Sequence, residues 1–176
     1  FCHDPAPPEI YPLSLHDALP ICYRNVEFRR GEIETLPIPA NSIDSAISNC
    51  VINLSPDKGK VFQEVFRVLK PGGRLMISDI VLLRELPALI RESIEAYIGC
   101  LSGAIMKDEY LAKIRAAGFQ DVRVIDETIF PVELMANDPT AKIIIEHLGG
   151  VAEKVTEVSS SVVSIKVQGV KPVEKS

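Results

Sequence analysis

At 176 residues, with 47% hydrophobic and 24% charged content, the chain has the size of one soluble globular domain and enough material for a real core. A formal net charge of -5 supplies no basic field, which argues against nucleic acid as the main partner. No apolar run approaches the roughly 20 residues of a membrane span, and the N-terminus lacks the basic-then-apolar order of a secretory signal. The expectation is a cytoplasmic protein with no membrane partner.

The first 22 residues, FCHDPAPPEIYPLSLHDALPIC, hold five of the 13 prolines and two of the three histidines, with neither helical nor strand periodicity. The stretch PPEIYPLSLHDALPI looks like the in-frame translation of a DNA-sequencing adapter. It is expected to be a non-native or disordered leader, the alternative being a natural proline-rich one. On the adapter reading, the gene's own sequence before Tyr23 is missing. The organised domain is then expected over 23–170, with a short tail at 171–176.

From Tyr23 the pattern is regular. NVEFRRGEI (25–33) predicts a short strand ending at Gly31, and SIDSAISN (42–49) predicts a buried strand by its length and β-branched content. Ser55 and Pro56 predict the N-cap and first position of a helix. That helix places Val61, Phe62, Val65, Phe66, Val68 and Leu69 on one face, with Gln63, Glu64 and Arg67 outward. KPGG stops it, and RLMISDIV (74–81) is the next strand. A helical region follows at 87–98, then a helix over 107–119 with Gly118 as its C′ cap. DVRVIDETI and SVVSIKVQGV close the chain as two alternating strands. Strands alternating with helices predict an α/β fold, a mostly parallel Rossmann-like sheet with an antiparallel strand at its edge.

Several of these stretches are similar to a known family. GEIETLPIPANSIDSAISN, VFQEVFRVLKPGGRLMISD and AGFQDVRV resemble the C-terminal two-thirds of a class I S-adenosylmethionine-dependent methyltransferase. SNCVINLSPDK (48–58) and YIGCLSGA (97–104) look like the cysteine segments of arsenite methyltransferases. The family's glycine-rich loop and the acidic residue that ends its second strand have no counterpart here. The resemblance therefore implies a methyltransferase sheet whose first strands are missing. A sheet of that kind has an exposed edge through which it would self-associate.

The four cysteines are Cys2, Cys22, Cys50 and Cys100, and no C-x-x-C pair occurs. Trivalent arsenic is thiophilic, and its lone pair attacks a sulfonium methyl without a general base, so catalysis is mostly positioning by thiolates. The resemblance makes Cys50 and Cys100 the arsenic ligands and catalytic residues. The alternative for either cysteine is that of a small buried hydrophobe. Glu32 and Ile33 match the strand-end pair that frames the adenine, and Asn49 matches the position where backbone lines the cofactor. Glu32 is otherwise a solvated turn residue. Asp79 ends a strand, where it either lines the pocket or caps the next helix, the cap being preferred, and His147 is read as structural.

The implied activity is methyl transfer from S-adenosylmethionine to arsenite or its thiol conjugates, with a thiol reductant as a further partner. Two alternatives stay open. One is another small-molecule methyltransferase of the quinone or sterol C-methylating type, and the other is a non-catalytic fragment that binds arsenic.

Overall fold

The computed structural model describes residues 27–85, 103–129 and 160–173. The leader at 1–22, the helical region expected at 87–98, Cys100 and His147 lie outside the described residues. The chain divides into two units, residues 1–32 and 33–176.

In the first unit, Arg29 Nε donates to Glu27 Oε1 at 2.7 Å, an exposed ion pair. The strand expected over 25–33 is not formed at 27–31, which carries no regular structure. An extended segment becomes a strand only when a ladder satisfies its backbone groups, and the apolar alternation of NVEF cannot supply that by itself.

Among the described residues the second unit has four strands, β1 (Ile43–Asn49), β2 (Leu69–Leu82), β3 (Gln120–Ile129) and β4 (Val162–Val170). Their order in the sheet is β1-β2-β4-β3. β1 and β2 pair in parallel, with Ala46 opposite Leu75 and Ser48 opposite Ile77. KPGG loops out of that ladder, whose register jumps from Ile43 opposite Leu69 to Ser45 opposite Arg74. β4 runs antiparallel to both neighbours, with Val167 opposite Ile77 on one side and Val124 on the other.

The expected antiparallel strand is therefore present, but it is inserted between β2 and β3 and does not form the edge. Composition explains the placement. VVSIKVQGV is apolar enough to be covered from both sides, whereas QDVRVIDETI carries the charges of an edge strand.

Among the described residues two helices cover one face of this sheet. α1 (Lys58–Val68) buries Val61, Phe62, Val65 and Val68, and α2 (Lys107–Ala116) buries Tyr110, Leu111 and Ile114. With Leu75, Ile77, Val163, Ile165 and Val167 from the strands they form the core. The N-cap of α1 is Asp57, whose side chain accepts the Lys60 N–H at 3.1 Å, and not Ser55 as the sequence predicts. Ser55 instead ends a single 3₁₀ turn over Ile52–Leu54, and its hydroxyl donates to Glu34. Gly118 follows α2 with φ +106°, and its N–H closes onto the Arg115 carbonyl, as the sequence predicts.

β1 is not the buried strand its composition suggests. Among the described strands it pairs only with β2, and Ile47 is 80% exposed on the face opposite the helices.

Candidate active site at the carboxyl end of the sheet

β1 ends at Asn49, and Cys50 follows with φ +56°, in the left-handed region. Its N–H donates to the Ser78 carbonyl at 2.9 Å, which holds this backbone against β2. A side chain with a Cβ pays about 1 to 2 kcal/mol for that conformation, so the ladder and the turn after it must impose it. The thiol is half-buried at the point where the strand becomes a loop.

The turn is fastened to its neighbours. Asn53 is buried and donates from Nδ2 to the Ile80 carbonyl at 2.7 Å, while its Oδ1 has no hydrogen-bond partner. Gly103 lies directly against it: a Cβ there would stand 1.7 Å from the Asn53 carbonyl oxygen. Beyond Gly103 the chain runs beside the end of β2, with the Leu82 N–H donating to the Ile105 carbonyl at 3.0 Å. The end of the YIGCLSGA segment and the Cys50 turn thus meet at the carboxyl end of β1 and β2, where open α/β sheets bind ligands.

Beneath the turn is a buried polar group. Asp79 is wholly buried within β2 and accepts the Tyr110 hydroxyl at 2.8 Å. It is not the helix cap expected from sequence, because it lies inside the strand on the face that the helices cover. The Tyr110 ring meets Phe62 edge-on at 5.3 Å. Lys58, also buried, donates from Nζ to the carbonyls of Ser55 at 3.2 Å and Asn53 at 3.4 Å. Burial raises the Asp79 carboxyl above its ordinary range, and the Tyr110 hydrogen bond opposes the rise. Burial lowers Lys58, with the Asp79 charge opposing. Burial, then the Asp79 charge, raises Tyr110.

Of the residues singled out from sequence, Asn49 and Cys50 stand together at this end of the sheet, Asn49 exposed. Ile33 is partly buried against the core, and its neighbour Glu34 reaches Ser55, so residues 33–34 adjoin the same turn. Glu32 is exposed and belongs to the first unit. Cys100 lies outside the described residues. Sequence reasoning missed Asn53, Lys58 and Tyr110 as parts of the site. The available signal was a lone aspartate in the apolar run LMISDIVL, since a buried carboxylate requires partners.

Comparison with known proteins adds a family. The model of the methyltransferase domain family matches residues 21–118. The arsenite methyltransferase of Halobacterium salinarum is 44% identical over 100 residues, covering 57% of this chain and 26% of that protein. The human arsenite methyltransferase is 40% identical over 112 residues, covering 62% of this chain and 30% of that protein. The chain thus spans between a quarter and a third of the length of these relatives.

Among solved structures, an arsenic(III) S-adenosylmethionine methyltransferase from Chlamydomonas reinhardtii superposes with a TM-score of 0.65 at 31% identity, covering 85% of this chain and 45% of that one. The YcgJ protein of Bacillus subtilis superposes at 0.71 with 21% identity, covering 95% of this chain and 80% of that one, a likeness of fold.

Proposed function

The chain belongs to the methyltransferase domain family, and on that premise we propose that the protein it is part of is an arsenite methyltransferase. In this reading it transfers a methyl group from S-adenosylmethionine to thiol-bound trivalent arsenic, as a detoxifying enzyme of the cytoplasm. The observation that carries the reading is Cys50, held in left-handed backbone at the carboxyl end of β1 with Gly103 against the turn that follows it. Cys100, three residues before Gly103 in the sequence, is the second thiol of this reading.

The chemistry asks little else of the protein. Two thiolates, Cys50 and Cys100, hold the arsenic, whose lone pair needs no general base to take up a methyl group. The methyl donor, when bound, supplies the activated methyl on a sulfonium. Ile33, partly buried against the core, and Asn49, the exposed end of β1, support such a donor site, and the resemblance adds Glu32 as its carboxylate. A thiol reductant is the further partner that returns the product arsenic to its trivalent state.

The test is methylation of arsenite by the full-length protein with a labelled methyl donor. Label appearing in methylated arsenic is the expected result. Transfer to a quinone acceptor with none to arsenite would replace this reading with that of a C-methylating enzyme. Donor binding with transfer to neither would leave only an arsenic-binding protein.

A further inference from the structure

We propose that Lys58, whose ammonium donates to the carbonyls of Asn53 and Ser55, is the positioning residue for the turn that carries Cys50; the inference rests on the arsenite reading of that site. Lys58 opens α1, where a lysine would ordinarily extend into water, yet it is 6% exposed. Its ammonium lies under the turn and donates to the carbonyls of Asn53 and Ser55. Asn53 reaches across to the Ile80 carbonyl, so the turn is gripped by the ammonium and by β2 at once.

An ammonium in an apolar core is unfavourable unless a counter-charge offsets it. The Asp79 charge opposes the lowering of Lys58 by burial, and the Tyr110 hydroxyl donates to that carboxylate at 2.8 Å. The Lys58 contacts fall on the carbonyls of Asn53 and Ser55, three and five residues after Cys50. Apolar residues of similar volume often replace buried charges with no loss of stability, so stability alone does not account for the arrangement. The cluster gives residues 50–55 a fixed place. A thiolate that must hold arsenic in line with a methyl group requires that placement.

The test uses the full-length protein with its methyl donor. Lys58→Met keeps the stem and removes the ammonium, Lys58→Arg keeps the charge, and Asp79→Asn removes the counter-charge without changing shape. Ile114→Val is the control for a general loss of core packing, since Ile114 is buried in α2. Three quantities are read for each variant: kcat for arsenite methylation, donor affinity, and the rate at which Cys50 reacts with a disulfide thiol reagent, the other cysteines being serine.

The expected result is that Lys58→Met lowers kcat by about 10- to 100-fold and changes the Cys50 reaction rate at least about fivefold, with donor affinity unchanged. Lys58→Arg recovers part of both, and Ile114→Val moves neither. If Lys58→Met fails to fold, Asp79→Asn carries the same expectation. A Cys50 reaction rate in the charge variants no different from that in Ile114→Val overturns the inference. Should the wild-type protein fail to methylate arsenite, the proposed function falls, while the thiol-reagent rates still decide the role of Lys58.

Discussion

Cys50 occupies backbone that glycine adopts at no steric cost, so its side chain and its conformation can be tested separately. Cys50→Gly is expected to be more stable than Cys50→Ala by about 1 kcal/mol, because only alanine retains the strained Cβ. Chemical denaturation of the two variants measures the difference, and equal midpoints would show that the turn bears no strain. Function should move the opposite way. In the full-length protein, Cys50→Ser and Cys100→Ser should each abolish arsenite methylation while leaving donor binding intact, since serine keeps the volume but offers a hard oxygen. Retained methylation in either variant would count against two-thiolate capture. Gly103 offers a third test at this scale: an added Cβ would stand 1.7 Å from the Asn53 carbonyl oxygen, so Gly103→Ala must push the turn away. Arsenite methylation should then fall about as far as after misplacing a reacting group by 1 Å, roughly 100-fold.

Among the elements, α1 shows what local pattern can and cannot reveal. Its apolar face follows from helical spacing alone, and Val61, Phe62, Val65 and Val68 are buried as that spacing predicts. Its start does not, because Ser55 is drawn away by Glu34, a partner 21 residues earlier, and Asp57 takes the cap. The same limit separates Cys50, recognisable from its flanking motif, from Lys58, Asp79 and Tyr110, which the fold brings together from three elements. β1 reads as buried because its composition is β-branched, but burial depends on neighbours that composition does not contain. α1 is also tied to the segment before β1. Glu64 accepts the Leu36 N–H at 2.8 Å and pairs with Arg67, whose Nη2 donates to the Leu36 and Ile38 carbonyls. Arg67, with the Leu36 hydrogen bond assisting, holds the Glu64 carboxyl below its ordinary range. The folded state thus binds that proton less tightly than the unfolded one, whose value is about 4.3. The stabilisation is complete above that value and is lost as pH falls through the lower folded one. Denaturant midpoints measured from pH 6 down to 3 should therefore converge for wild type and Glu64→Gln. A gap that stays constant over that range would remove Glu64 from the acid response.

For the whole molecule the consequential feature is the edge at β1. Of the described strands only β2 pairs with it, so the outer row of β1 backbone donors and acceptors has no ladder among them. Ile47, 80% exposed, and its ladder partner Met76, 43% exposed, add an apolar surface beside that edge. Edges of this kind pair with other chains unless charge, proline or a covering element prevents it. β1 carries a single acidic side chain, Asp44, near its beginning, paired with Lys70 at 2.8 Å. At the opposite edge, β3 is differently equipped: Asp126 and Glu127 pair with Lys166 and Lys107 and keep the strand hydrated. Association of the 176-residue chain is therefore expected through β1 and not through β3. Light scattering on a gel-filtered sample should give a mass above that of one chain, rising with concentration. Ile47→Lys places a charge on the apolar side of the edge and should shift the distribution toward single chains, whereas Ile125→Lys on β3 should leave it unchanged. A wild-type chain that stays monomeric and melts cooperatively would refute the open edge, and an equal response to both substitutions would refute its assignment to β1.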